Sequence, residues 1–415
     1  MTGGHGDEAW EVVLSDKEGG KGLAARRDTR LLLIGISYAG FVALGLATAL
    51  LGVAWPSVRG SFGLSLDAVG TFLIAATAGG LLSSFSSGPA ISRLGPGKVL
   101  LVSSILRGLG LLGCGLAPNW WSMVLFGLLS GLGSGAIDAG LNTVFAANYS
   151  ASLMNWLHAS YGLGAALGPM VMTAALDAGG SWRWGYVFAA ILQGLLALAF
   201  GITLDRWRLG GSGSPGAGSL PTAGVVRTRD TLRLPLAWLG IALFFVFTGV
   251  EGSGGQWPYT LFTEARGVSP GTAGLWISVY WGSLTVGRIV LGFVVDRLGV
   301  VTSSRACMVG VALGSALVWW NVTNLVGFLG LALVGFSLGP LFPLLISHTP
   351  RRLGAAHAPN AIGFQVAAAG LGMALLPGLA GVLADSLGLE VIGPFLLVAS
   401  IVALVLHEAI LARRA

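Results

Sequence analysis

The segment GFVVDRLG at residues 292–299 closes a long apolar run and has an imperfect copy, GPAISRLG, at residues 88–95. A third and weaker copy, GVLADSLG, stands at residues 381–388. Each copy ends in glycine and follows an apolar run of about 20 residues or more, the length that a helix needs to cross a bilayer. The repetition predicts a duplicated helical unit whose two halves carry the same turn at the same place.

The composition excludes a water-soluble fold. Of the 415 residues, 54% are hydrophobic and 10% are charged, whereas a soluble domain carries about 25% charged residues. The 67 glycines are typical of helices whose backbones pack closely in a membrane. The formal charge of +6 does not indicate nucleic-acid binding, because the basic residues are spread over short loops. We therefore predict an all-α membrane protein that contacts the lipid bilayer.

Apolar runs between polar turns predict twelve transmembrane helices in two pseudo-symmetric six-helix bundles. The predicted spans are 31–55, 67–91, 98–117, 120–147, 153–177, 183–204, 236–262, 270–295, 301–320, 324–347, 358–384 and 390–411. A Gly/Ser/Pro-rich segment between spans six and seven is typical of a flexible linker. The predicted organisation is a cytoplasmic N-terminal tail at 1–29, an N-terminal bundle at 30–204, a cytoplasmic linker at 205–235 and a C-terminal bundle at 236–412.

The distribution of Lys and Arg predicts the orientation. If the N-terminus is cytoplasmic, 18 of the 23 basic residues fall on the cytoplasmic side, three fall outside and two lie within spans. Because basic residues accumulate in cytoplasmic loops, we expect both termini to face the cytoplasm. The predicted location is the inner (plasma) membrane.

Twelve spans, a central linker and the pattern G-x-x-x-D-R-x-G after spans two and eight resemble the major facilitator superfamily. The copy at 292–299 matches the pattern fully, whereas the copy at 88–95 has Ser92 in place of the acid. The resemblance implies the fold of that superfamily and transport by alternating access. It also implies gating roles for three residues of these turns, Arg93, Asp296 and Arg297.

Polar side chains within the spans mark the predicted functional site, since hydrocarbon excludes such groups unless they have a use. Asp138 and Asn142 lie one turn apart on span four. Glu251 lies in a Gly-rich part of span seven, where we expect a broken helix. We predict that the two acids couple transport to protons, and that amides and aromatic rings bind the hydroxyls and apolar face of a sugar. The predicted substrate-binding residues are Asn142, Asn155, His158, Tyr161, Gln256, Trp257, Trp276, Tyr280, Trp281, Asn360 and Gln365.

These clusters resemble the fucose-permease-like branch of the superfamily, which couples sugar uptake to protons. The shared features are an acid followed by Asn in span four, G-x-E with a later Trp in span seven, and His before G-x-G in span five. Span one carries no acid, so proton coupling would depend on Asp138 or Glu251. We expect few fixed charges in the cavity, which favours a neutral polar solute over an anion.

Several assignments have alternatives. Asp138 and Arg107 lie at similar predicted depths and could form a buried structural ion pair. Glu251 could cap a half-helix, and an interhelical hydrogen bond would explain His158 as well as a proton relay does. Arg288 could snorkel to the surface or pair with an acid of the inner gate, and we assign it to the gate.

The sequence predicts a secondary active transporter that takes up a sugar or similar neutral polar solute with H⁺, with Na⁺ as the alternative coupling ion. The alternatives are a proton-antiport exporter of drugs or metabolites and a non-transporting sensor on the same fold. No motif indicates an enzyme, a bound cofactor or a metal site, since strings such as GLGSG lack the preceding strand of a dinucleotide-binding fold. We expect a monomer whose partners are its small-molecule substrate and the bilayer.

Overall fold

The computed structural model of the protein describes the backbone of residues 7–207, 227–354 and 356–413. Side chains are described in those ranges except at 7–27, 151–152, 291–292 and 296. Twelve long helices make up most of the described residues, two of them in more than one segment. They are α1 Asp7–Phe62, α2 Val69–Leu94, α3 Pro96–Leu116, α4 Trp120–Asn148, α5 Ala151–Gly179, α6 Arg183–Ile202, α7 Pro235–Gln256 continued by Pro258–Thr260 and a π-helical turn at Leu261–Ala265, α8 Pro270–Leu298, α9 Val300–Trp320, α10 Asn324–Leu338 and Leu341–Leu353, α11 Ala358–Leu387 and α12 Ile392–Ala412.

Helix lengths agree with the prediction of a membrane protein. Among the described residues, eleven helical stretches are long and apolar enough to cross a membrane. The remaining predicted span is α8, a helix of 29 residues, which includes positions 291–292 and 296, whose side chains lie outside the described residues. The predicted all-α membrane fold is confirmed.

The ends of two predicted segments differ from the structure. The backbone of α1 is helical from Asp7, so the helix begins well before the boundary predicted at residue 29. Within the predicted linker, residues 208–226 lie outside the described residues. Its described parts contain a 3₁₀ turn at Leu204–Arg206 and a short helix at Thr228–Leu232.

The two halves of the chain pack in the same pattern. In the first half α2 packs on α4, α1 on α5, and α3 on both α4 and α6. In the second half α8 packs on α10, α7 on α11, and α9 on both α10 and α12. Contacts of α2 with α11 and of α5 with α8 join the halves. These two contacts are equivalent, because α2 corresponds to α8 and α5 corresponds to α11. The duplication that the repeated turn sequence predicts is therefore also present in the packing of the helices.

The last glycine of each repeated segment adopts one backbone conformation. Gly95 has φ 80° and ψ 156°, Gly299 has φ 75° and ψ 155°, and Gly388 has φ 89° and ψ 161°. Residues other than glycine are essentially excluded from this region. Each glycine N–H also donates to the carbonyl four residues earlier. The glycine thus ends one helix and redirects the chain into the next, and it does so even where Ser92 replaces the acid.

Other glycines bring helix backbones into contact. A Cβ on Gly131 of α4 would overlap the carbonyl oxygen of Ala76 on α2, and one on Gly79 would overlap that of Leu128. Lipid provides no hydrophobic force between helices, so they associate through close packing of this kind. The contact between α2 and α4 therefore requires glycine on both sides.

We expect Gly131→Leu to destabilise the folded protein by about 1–3 kcal/mol or more, since the new side chain would overpack a backbone contact. The measurement is the thermal unfolding temperature in detergent. Gly194→Leu is the matched control, because no heavy atom lies within 4 Å of a Cβ built on Gly194. An equal loss of stability in both variants would contradict the assigned contact.

Candidate functional site

A large cavity of about 2020 Å³ lies between the two halves of the protein. We call the end of the bundle that carries the α6–α7 linker the linker end, and the other the opposite end. At the linker end the cavity is lined by residues of the α8–α9 turn and of the last turn of α10, among them Gly299, Thr302 and Arg351. The cavity therefore opens at the linker end.

Polar contacts between the halves close the opposite end. Arg59 at the end of α1 donates hydrogen bonds of 2.9 and 2.8 Å to the carboxylate of Glu264, in the π-helical turn that ends α7. The backbone N–H of Leu66 donates to Oδ1 of Asp385 at 3.1 Å, which joins the start of α2 to the end of α11. The described conformation is consequently open on one side only.

One acid from each half reaches the cavity. Asp138 on α4 is exposed there, and its Oδ1 accepts a hydrogen bond of 3.2 Å from Nδ2 of Asn142. Glu251 on α7 lines the same cavity, and the hydroxyl of Tyr280 donates to its backbone carbonyl oxygen at 2.7 Å. Tyr161 on α5 interacts electrostatically with both carboxyl groups. The two predicted proton-coupling residues therefore share one chamber.

An interruption of α10 creates the site of Arg288. Pro343 has no N–H to donate to the carbonyl oxygen of Gly339 four residues earlier. The Nε of Arg288 donates to that oxygen instead, at 2.8 Å. The guanidinium also interacts electrostatically with Glu251 and His158. Arg288 thus lies among titratable groups of both halves, inside the cavity wall, and does not snorkel to the membrane surface.

Arg107 and Asp138 do not form the ion pair that the sequence allowed. Gly133 of α4 packs against the backbone of Arg107, and Asp138 follows five residues later, roughly 7–8 Å further along the helix axis. Equal counts from the helix ends did not give equal depth, because α4 extends past the start of α3. The Nη2 of Arg107 donates instead to the carbonyl oxygen of Leu44 on α1 at 3.1 Å.

The predicted substrate-binding residues separate into two groups. Four of them line the cavity, namely Asn142, Asn155, His158 and Tyr161. Seven lie outside it in helix–helix contacts, namely Gln256, Trp257, Trp276, Tyr280, Trp281, Asn360 and Gln365.

Most residues of the second group have polar or stacking partners within the protein, whereas Nε2 of Gln256 and Nε1 of Trp281 are buried without a hydrogen-bond partner among the described residues. The indole N–H of Trp257 donates to the carbonyl oxygen of Pro377 at 2.9 Å, and Trp276 stacks on Phe328 with ring centroids 4.9 Å apart. Gln365 accepts a hydrogen bond of 2.9 Å from the hydroxyl of Thr349, and Asn360 donates to the hydroxyl of Thr231 at 3.3 Å. These contacts attach α11 to α7, to α10 and to the short helix before α7, and they pack α8 on α10.

The predicted helix break beside Glu251 is wrong. The first segment of α7 continues through the glycines to Gln256, and the helix is interrupted only at Trp257. The glycines serve close packing instead, since a Cβ on Gly255 would overlap the indole of Trp281. Glu251 therefore lies within a continuous helix and does not cap a half-helix.

The predicted gating residues of the repeated turns lie at the linker end, whereas Arg288 lies deeper in the cavity wall. Arg93 and Arg297 are exposed there, in the last turns of α2 and α8. The side chain of Asp296 lies outside the described residues. Their role in gating stays a prediction.

The cavity contains charges and hydroxyls that the sequence analysis did not assign to substrate binding. Arg107, Arg288 and Arg351 all line it, so the expectation of few fixed charges is wrong. Hydroxyl groups of Thr48, Ser130, Ser134, Thr248 and Thr285 also line it. No sequence signal distinguishes these hydroxyls, because serine and threonine are tolerated anywhere in a helix by bonding to its own carbonyls.

Comparisons with known proteins agree on one family. A sequence model of the Major Facilitator Superfamily matches residues 37–257 and 239–414. "Bypass of stop codon protein 6" of Saccharomyces cerevisiae is 24% identical over 393 residues, 85% of this chain and 77% of that protein. The glucose/mannose transporter GlcP of Bacillus subtilis is 22% identical over 241 residues, 56% of this chain and 58% of that protein. The crystal structure of a mutant of the nucleoside transporter NupG has the same fold, with a TM-score of 0.75 at 14% identity over 92% of this chain and 99% of that one.

We expect Ser84→Cys, in the α2 wall of the cavity, to react with a membrane-impermeant maleimide added on the linker side of sealed vesicles and to be protected from the other side. Ala265→Cys, exposed at the opposite end, should show the reverse preference. Both variants are made with Cys114 and Cys307 replaced by Ala. Labelling of both positions from the same side would contradict the described opening.

Trp257→Phe removes the indole N–H that bonds to Pro377 and keeps an aromatic ring in place. We expect a loss of stability of about 1 kcal/mol with an unchanged half-saturation concentration for transport, because the ring lies outside the cavity. Thermal unfolding and uptake kinetics of the same preparation measure the two effects. A weaker substrate affinity at unchanged stability would instead indicate that Trp257 binds the substrate.

Proposed function

The chain belongs to the Major Facilitator Superfamily of membrane transporters, and from this premise we propose that it couples uptake of a sugar or similarly hydroxylated solute to protons. The observation that carries the proposal is the placement of one acid from each half, Asp138 and Glu251, in a single chamber open at one end. Rocking of the two bundles would open that chamber to each side in turn. The homologues are transporters, and the chain is not an enzyme.

The exposure of Asp138 supports a role in proton coupling. Its carboxyl faces the open cavity and is bonded to a neutral amide, so a proton can reach it without breaking an ion pair. Once the halves rock, the same carboxyl would face the other side of the membrane. An acid that gains a proton on one side and loses it on the other ties solute movement to the proton gradient.

The chemistry of the chamber supports a hydroxylated substrate. Amides of Asn142 and Asn155 and the hydroxyl of Ser130 offer donors and acceptors together, as sugar hydroxyls require. Trp156 and Tyr161 add aromatic faces on which the apolar side of a ring can pack. The relative named as a glucose/mannose transporter agrees with this substrate class.

We also propose that the linker end faces the cytoplasm of the plasma (inner) membrane, because most Lys and Arg residues belong to that end. The described conformation is then open to the inside. A monomer is sufficient for the mechanism, since both acids and the cavity belong to one chain.

We expect Asp138→Asn to abolish accumulation driven by an imposed pH gradient, because an amide side chain does not titrate and cannot carry the coupled proton. Exchange of solute at equal concentrations should persist, since the new amide can still accept the hydrogen bond from Asn142. Uptake and counterflow of radiolabelled glucose, mannose and xylose in proteoliposomes measure the two activities.

Asp177→Asn is the matched control, because Asp177 is exposed at the opposite end, outside the cavity, and it should accumulate solute as the wild type does. Loss of accumulation in Glu251→Gln but not in Asp138→Asn would move the coupling to Glu251. Unchanged accumulation in both would contradict proton coupling through either acid. Efflux of lipophilic dyes without sugar exchange would instead favour a drug exporter.

A further inference from the structure

Arg107 is a buried cation in the wall of the cavity. It lies on α3 with 3% of its surface exposed. Its Nη2 donates to the carbonyl oxygen of Leu44, which already accepts a hydrogen bond of 2.9 Å from the hydroxyl of Thr48. Its Nε is buried and has no hydrogen-bond partner. In the part of the chain that the structure describes, no carboxylate lies within ion-pair distance of this guanidinium.

The other charged groups of the chamber are better balanced. Among the described residues Arg288 has no carboxylate within ion-pair distance either, but its Nε donates to the carbonyl oxygen of Gly339 and its charge interacts electrostatically with Glu251. Asp138 is bonded to Asn142 and does not reach Arg107. Arg351 is exposed at the mouth of the cavity. Arg107 therefore differs from Arg288 in two respects: its Nε has no hydrogen-bond partner, and it shows no interaction with a carboxylate of the described residues.

An unbalanced buried charge is a place for a ligand of opposite charge. Arginine keeps its proton at any physiological pH, and a buried charge without a counter-ion is costly. A planar guanidinium can bind a carboxylate through parallel hydrogen bonds, and the Nε of Arg107 has no partner within the described protein. Tyr161 lines the same cavity and interacts electrostatically with this guanidinium.

We infer that Arg107 binds a carboxylate of the transported solute, so that the substrate is a small hydroxylated monocarboxylate and not a neutral sugar. The inference rests on the proposed function, because it takes the cavity as the transport site. A single unpartnered arginine fits one carboxylate, while Asn142, Asn155 and Ser130 meet the hydroxyls. Entry of the monoanion together with one proton on Asp138 also moves no net charge across the membrane.

Binding of four probes to the wild-type protein in lipid nanodiscs tests the inference. The probes are glucuronate, its neutral amide glucuronamide, glucose and 4-hydroxybenzoate, and calorimetry measures their affinities. We expect glucuronate or 4-hydroxybenzoate to bind at least tenfold more tightly than both neutral probes. The stronger of the two acids then identifies the source of the carboxylate as a sugar acid or an aromatic acid.

Variants of the arginine locate the effect. Arg107→Gln should lower carboxylate affinity about tenfold or more and leave glucuronamide affinity unchanged. Arg107→Lys keeps the charge but loses the planar guanidinium, so its carboxylate affinity should lie between those of the wild type and of Arg107→Gln. Arg233→Gln is the matched control, because the side chain of Arg233 is 66% exposed and lies outside the cavity; it should bind all four probes as the wild type does.

Equal binding of each acid and the neutral probes by the wild type would overturn the inference, and that result needs no variant. Unchanged carboxylate affinity in Arg107→Gln would also overturn it. Exchange of glucose but of neither acid in proteoliposomes would contradict the carboxylate site and would remain consistent with the proposed proton-coupled uptake of a sugar. Carboxylate binding that depends on Arg107, without accumulation under a pH gradient, would support the site and contradict the proton coupling.

Discussion

Within hydrocarbon, every polar group must find a partner or face water, and the structure is organised around this constraint. Most helical hydroxyls satisfy it locally, as Thr48 does by donating to the carbonyl oxygen of Leu44. Arg288 satisfies it by bonding to the carbonyl of Gly339 that Pro343 leaves without a donor. A carboxyl group needs more than one neutral hydrogen bond, such as the one that Asp138 accepts from Asn142, and the two helices that carry the acids form walls of a cavity.

The same constraint explains why the fold was predictable. Only apolar runs of bilayer length can cross the membrane, and the redirecting turns need glycine at Gly95, Gly299 and Gly388. Hydropathy shows where the chain meets the bilayer and not where a helix begins, so the early start of α1 at Asp7 was missed. The interruption of α10 was also missed, because glycine and proline within an apolar run leave its hydropathy almost unchanged.

The site was predictable only in part, because a helix within a bundle has two kinds of surface that avoid lipid. One faces the cavity and the other faces a neighbouring helix, and both accept polar or aromatic side chains. An amide or an indole can be buried if it forms one hydrogen bond within the protein, as Gln365 and Trp257 do. A carboxyl group without a cation cannot, so Asp138 was the more dependable pointer to the chamber.

The packing of the two halves is duplicated, but their charges are not. Asp138 on α4 would correspond to an acid on α10, and Glu251 on α7 to one in the membrane part of α1, yet neither helix carries one there. Glu251 and Arg288 belong to the same half, so they would move together and keep their mutual interaction when the bundles rock. Asp138 has only a neutral partner in its own half. Its surroundings would change most between the two states, which makes it the better coupling residue of the two acids.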